Sequence, residues 1–214
     1  EKLSDVIQVG IRVQLPFGGR ETEGIVVERV AAPERAGELK SITKVLSVVP
    51  IATSSSLDLI ESVADHFACN PWDVIRSAIP PRVASVDRNF DSDGSHEHNS
   101  GKFVVEFQTL APYIEAHEQL VNLVLKNYES GSVLIIAPDE KDVDRIIESL
   151  SSHDVQVLKL TAAMPREERY RNYLHAMHGA KSIVVGTRSA IFAPVNKLGT
   201  IIVHKESSLD HYEI

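Results

Sequence analysis

A guanidinium flanked by two hydroxyls stands at Thr187-Arg188-Ser189, directly after Gly186. Together these groups suit a phosphate oxygen, which accepts hydrogen bonds from Ser, Thr and a forked guanidinium. Gly186 would let such a loop approach a ligand closely. The same tetrapeptide also reads as a polar strand-to-loop turn. Two histidine pairs are weaker candidates. His96-x-His98 could bind a metal, but it lies in a polar stretch without further ligands. His175-x-x-His178 reads as a surface pair on a helix and lacks the glutamate of a zinc hydrolase. Cys69 is the only cysteine, which excludes a disulfide framework and a cysteine-based zinc site in this sequence. The only Gly-Lys dipeptide is Gly101-Lys102. It is followed by Phe103, and His96 stands where the first glycine of a Gly-x4-Gly-Lys-Ser/Thr phosphate loop would be.

Strands and helices must position these groups. Ser182–Val185 and Thr200–Val203 are short β-branched runs, apolar on both faces, as in central strands of a parallel sheet. Upstream, the pattern alternates. Phe103–Phe107 is a candidate strand, Ala111–Tyr128 a helix, Val133–Ala137 a strand and Asp139–Leu150 a helix with an acidic first turn. Val155–Lys159 reads as a further strand and Pro165–His178 as a further helix. Strand–helix alternation of this kind makes a parallel sheet with right-handed crossovers. Residues 1–50 are β-rich instead. Ile11–Leu15 alternates apolar and polar, Pro16–Arg20 is a turn, and Gly24–Val30 and Thr43–Val49 are further strand candidates. Thr53–Phe67 is an amphipathic helix with Leu57, Ile60, Val63, Ala64 and Phe67 on one face. A second helix starts at Asn70-Pro71, a cap followed by proline at the first helical position, and stops before Pro80-Pro81. Arg88–Gly101 is polar and aperiodic, a linker. The expected organisation is a β-rich domain with two helices over residues 1–82, a linker over 83–102, and an incomplete parallel α/β lobe over 103–214.

The 214 residues carry a formal net charge of −8. Carboxylates outnumber basic groups in each of the three segments, which is not the footprint of an electrostatic nucleic-acid clamp. Any DNA contact must come from local basic groups, with salt-dependent affinity. No apolar run approaches membrane-spanning length, and the start lacks the pattern of a signal peptide. The expectation is a cytoplasmic protein without a membrane partner.

The segment from Ile183 to Pro194, followed by Leu198-Gly199 and Ile201-Ile202-Val203, resembles the first helicase lobe of the primosomal replication-restart family (primosomal protein N′, PriA). The runs GIRVQLPFGGR, GIVVERV, ELKSITKVLS, VADHF and DVIRSAIPPR resemble the N-terminal DNA-binding domain of the same family, in the right order. The resemblance implies a RecA-like parallel αβα lobe, nucleoid-associated in the cytoplasm, and partners in forked or single-stranded DNA and other primosome proteins. In the family the N-terminal domain captures the 3′ end of a nascent strand. Its pocket glycine maps to Gly18 and its pocket lysine to Lys40, and a Phe-Asp pair would precede Glu1. The resemblance also assigns Thr187, Arg188 and Ser189 to DNA contact. Gly18 and Lys40 read equally as a turn glycine and a solvated surface lysine.

ATP, Mg²⁺ and a structural zinc module are implied for the family, the zinc module lying further along. This sequence departs from the ATP pattern. The phosphate loop should follow Phe103–Phe107, where Gln108–Glu115 holds neither glycine nor lysine. The acidic box Asp-Glu-Glu-His is replaced by His204-Lys205-Glu206-Ser207. Pro138-Asp139-Glu140 is equivocal. The expectation is therefore a degenerate ATPase without catalytic, ATP-binding or metal residues, a DNA-binding protein of replication restart. An active ATP-dependent 3′–5′ helicase, an acidic protein-interaction scaffold and an unrelated small-molecule α/β enzyme are the alternatives. The last lacks a nucleophile–base pair or Gly-x-Gly-x-x-Gly at a strand end.

Overall fold

The computed structural model describes residues 6–32, 37, 39–91, 102–109 and 116–211. The chain divides into two units, Glu1–Phe90 and Asp91–Ile214. In the first, β1 (Arg12–Phe17), β2 (Arg20–Ile25) and β3 (Lys44–Val45) form an antiparallel sheet in the order β2-β1-β3. Helices α1 (Ser54–His66), α2 (Pro71–Ala78) and α3 (Ala84–Asn89) follow. Thr53 and Ser56 form a reciprocal capping box on α1, and the Asn70 side chain caps α2 by accepting from the Trp72 N–H at 2.9 Å. Ile11, Val13, Ile51, Leu57, Ile60, Val74, Ile75 and Val86 are all buried. The Arg12 guanidinium donates to Glu23 at 3.1 Å and to the Pro80 carbonyl at 3.2 Å, tying the hairpin to the end of α2.

The first unit departs from expectation in four places. β2 is the polar run Arg20–Ile25, not Gly24–Val30, because the Gly18-Gly19 turn fixes the register with Phe17 opposite Arg20. Val27 and Val30 are exposed. β3 is two residues long instead of spanning Thr43–Val49. Phe67 is the C-cap of α1, 71% exposed, rather than part of its buried face. Residues 84–89, within the span expected as linker, form α3, anchored by a 2.5 Å ion pair between Arg82 and the buried Asp87.

In the second unit α4 (Ala116–Tyr128), β4 (Ser132–Ile136), α5 (Glu140–Leu150), β5 (Val157–Leu160), α6 (Arg166–His178), β6 (Ile183–Gly186) and β7 (Leu198–Val203) alternate. The four strands are parallel in the order β5-β6-β4-β7, a RecA-like arrangement. Every residue of β4 is buried, and α4 and α5 pack on one face through Val124, Val143, Ile146 and Leu150. Asp139 caps α5, accepting from the Asp142 N–H at 2.8 Å. The buried Ser132 hydroxyl donates to the Asn196 carbonyl at 2.6 Å and accepts from the Ser182 N–H at 3.1 Å, so β4 is tied to the segments entering β6 and β7.

Phe103–Phe107 is not a strand. Its apolar side chains Phe103, Val104, Val105 and Phe107 are 61–91% exposed, and β-propensity is insufficient where no described strand pairs with the segment. The expected start of α4 at Ala111 lies outside the described residues. β5 begins two residues later than expected. His178 is buried, so His175-x-x-His178 is not a surface pair. Among the described residues, no helix is long and apolar enough to cross a membrane.

Candidate nucleic-acid interface

In a parallel sheet, ligands bind outside the carboxyl ends of the strands where connections diverge. In the second unit that place is the tip of β4. The chain leaves β4 through α5 to β5, while β6 and β7 flank β4 on opposite sides. Ala137 donates its N–H to the Gly186 carbonyl at 2.8 Å, and His204 donates to the Ile136 carbonyl at 2.9 Å. Thr187, Ala137 and His204 thus lie side by side on the carboxyl edge.

Thr187 opens a 3-10 turn over Arg188–Phe192, its carbonyl accepting from the Ala190 N–H at 2.8 Å. Thr187 and Ser189 are half-buried and Arg188 is exposed. The three expected phosphate-binding residues are therefore brought together in one turn. Gly186 meets a packing requirement that the sequence did not show. A Cβ there would fall 2.2 Å from the Leu160 carbonyl oxygen and 2.5 Å from the Ala190 Cβ. The absent side chain is thus required by strand-to-turn packing.

At the end of β7, Lys205 adopts φ 51°, the left-handed region that non-glycine residues seldom occupy. Its ammonium donates to both carboxylate oxygens of Asp142 at 2.7 Å. Asp142 lies in the first turn of α5 and is 3% exposed. Burial alone raises its pKa. The Lys205 hydrogen bond and charge, with His204 and Arg145 nearby, outweigh burial and hold the carboxyl below its ordinary value. The family resemblance implies Mg²⁺ at this strand end, and the residues present do not fit it. An ammonium already spans the carboxylate that faces the strand tip, and a second cation would be repelled. The candidate phosphate-loop positions 110–115 lie outside the described residues, as do His96 and His98. Among the described residues no cluster of three His, Cys, Asp or Glu side chains could hold a metal ion.

Sequence reasoning missed Asp142, because an acidic residue in a helix first turn reads as dipole complementarity. It also missed Thr161 and Arg169. Thr161 directly follows β5, beside Thr187 if the β5–β6 register continues, and its hydroxyl is buried without a hydrogen-bond partner among the described residues. Arg169, near the start of α6, has its pKa lowered by burial.

In the first unit, Gly18 and Gly19 are the two central residues of the β1–β2 turn, at φ 58° and 78°. Positive φ at both positions marks a primed hairpin turn. This local requirement accounts for glycine at 18, and the turn is also bare: a Cβ at either position meets nothing within 4 Å. Lys40 is exposed. The Thr43 N–H bonds the Gln14 carbonyl at 2.8 Å, and β3 runs antiparallel to β1, so the chain preceding Thr43 approaches from the hairpin-tip side. Gly18 and Lys40 belong to one unit and Thr187, Arg188 and Ser189 to the other.

Fold and site define a class: a small β-rich module followed by a RecA-like lobe whose carboxyl edge carries hydroxyls and an arginine. The family profile for the PriA 3′ DNA-binding domain (3′BD) matches residues 1–80. The probable replication restart protein PriA of Mycobacterium tuberculosis (strain H37Rv) is 30% identical over 226 residues, covering 94% of this chain and 34% of that protein. The Mycobacterium leprae protein of the same name is 29% identical over 233 residues, 95% of this chain and 36% of its own. The replication restart protein PriA of Rickettsia felis is 21% identical over 231 residues, covering 94% and 34%. This chain is a PriA-like protein, and it spans about a third of the length of these relatives.

Proposed function

We propose that this chain binds the 3′ end of DNA at forked or single-stranded sites through its first unit and serves replication restart in the cytoplasm, alongside other primosome proteins. The observation that carries the reading is the 3′ DNA-binding domain match, which covers the sheet, α1 and α2 of the first unit. A bare hairpin tip at Gly18 and an exposed Lys40 support it, Lys40 as a phosphate neutraliser. Thr187, Arg188 and Ser189 supply a second DNA contact on the RecA-like lobe. The lobe acts as a scaffold without ATP hydrolysis. The Lys205–Asp142 pair supports this part, because it places a fixed cation where the resemblance calls for a metal-holding carboxylate.

The test is fluorescence anisotropy of forked DNA with a free 3′ nascent end against the same fork lacking that strand. The expected result is a preference for the 3′-ended fork, reduced in Lys40→Ala together with the salt dependence, by about one unit of slope. Equal binding of both forks, unaffected by Lys40→Ala, would refute 3′-end capture.

A further inference from the structure

We propose that the outer side of α1, continued into the first turn of α2, is a docking site for a basic amphipathic helix of a partner protein. The inference uses none of the residues assigned to DNA and does not rest on the DNA-binding reading.

Residues four apart on a helix stand one above the other on the same face. Leu57, Ile60 and Ala64 face the core of the first unit. Leu59, Val63 and Phe67 share the adjoining face, and they are not buried: Leu59 is 39% exposed, Val63 half-buried and Phe67 71% exposed. The Phe67 ring meets the His66 imidazole edge to face, with centroids 4.8 Å apart at 86°. Ala68, at φ 49°, turns the chain out of the helix, and Trp72 follows in the first turn of α2, 43% exposed. Every one of residues 65–73 is exposed. The apolar stripe therefore continues past the end of α1 into a solvent-facing turn with two aromatic rings, the composition of a protein-binding patch.

The charge beside the stripe selects the partner. Asp58, Glu61 and Asp65 are three and four positions apart, so they form a second row along α1, and all are exposed. None of the three carboxylates has a hydrogen bond or ion pair among the described residues. Residues 53–75 hold these three and Asp73, and neither lysine nor arginine. Asp73 meets Arg76 at 3.8 Å on the exposed surface. Such a face repels nucleic acid. A second copy of this chain docking through the same patch would set two acidic rows against each other. A helix whose apolar side chains cover Leu59, Val63 and Phe67, and whose lysines or arginines border them, satisfies both rows at once, and Trp72 offers its ring to a cation.

The experiment uses the full chain and the intrinsic fluorescence of Trp72, the only tryptophan in the sequence. The probe is a helical peptide of leucine and lysine with its leucines on one face, compared with the same pattern built from leucine and glutamate. The expected result is a saturable blue shift with the lysine peptide and none with the glutamate peptide. Affinity for the lysine peptide falls about tenfold in Phe67→Ser. Its salt dependence shrinks when Asp58→Asn, Glu61→Gln and Asp65→Asn are combined. Fork affinity is unchanged in Phe67→Ser, and thermal unfolding checks that these exposed substitutions leave the fold intact. Lysine-peptide binding that is unaltered in both variants would overturn the docking site, leaving only general attraction to an acidic chain. Equal binding of the glutamate peptide would overturn the basic partner. A dimer of the unaltered chain that Phe67→Ser dissociates would give the face to a second copy, and a loss of fork affinity in Phe67→Ser would give it to DNA; either result overturns the proposal.

Discussion

Lys205 holds a strained backbone, and its ammonium is committed to a carboxylate that is almost wholly buried. Lys205→Met leaves Asp142 buried beside only the exposed Arg145 and the His204 imidazole. The expected cost is about 1–2 kcal/mol in urea unfolding, below the fully buried range because half of the lysine side chain is exposed. The pH dependence has a definite sign. Asp142 has a lowered folded pKa, so its contribution is present above the ordinary carboxylate value of 3.8 and is lost as pH falls through the folded value. The stability difference between Lys205→Met and the unaltered chain is therefore expected to be full at neutral pH and to shrink in acid. A difference that grows on acidification would show that the pair is not the source of the effect. Gly186→Ala puts a methyl against the Leu160 carbonyl and is expected to destabilise by about 1–3 kcal/mol, measured the same way. Gly18→Ala meets no atom but must hold φ 58°, a penalty of about 1–2 kcal/mol that Gly18→Asn largely escapes.

At the scale of elements, the sequence made some parts legible and concealed others for physical reasons. Helices α1, α2, α5 and α6 were readable because caps, a first-turn proline and periodic apolar faces mark them independently. Strands β4, β6 and β7 were readable from β-branched runs between glycines and polar turns. β2 was misplaced because its composition is polar and its position is dictated by the two-glycine turn, so register outweighed hydrophobicity. Phe103–Phe107 was misassigned for the converse reason: its residues favour a strand, and no described strand pairs with it. The Thr187–Ser189 loop was visible as a cluster. That Gly186 serves packing, and that Lys205 reaches back to Asp142 across 63 positions, depended on the fold. If the loop contacts DNA, Arg188→Ala weakens binding with little change in stability, since its side chain is exposed. A large loss of stability with unchanged DNA affinity would instead assign the loop a structural role.

For the whole molecule, net charge of −8 weighs against general electrostatic attraction to DNA. Binding must come from a few positions, so affinity is expected to be modest and selective for structure, while individual basic substitutions have large fractional effects. In the proposed reading, 3′-end recognition falls to the first unit and the RecA-like lobe serves as a scaffold. The central claim is that DNA binding is independent of nucleotide. The most direct measurement is the affinity of the full chain for a 3′-ended fork, by anisotropy at fixed salt, with and without ATP and Mg²⁺, accompanied by phosphate release. The account predicts the same affinity in both conditions and no phosphate release above the protein-free rate. Fork affinity that changes several-fold with ATP, or DNA-stimulated phosphate release, would contradict it and restore a working motor.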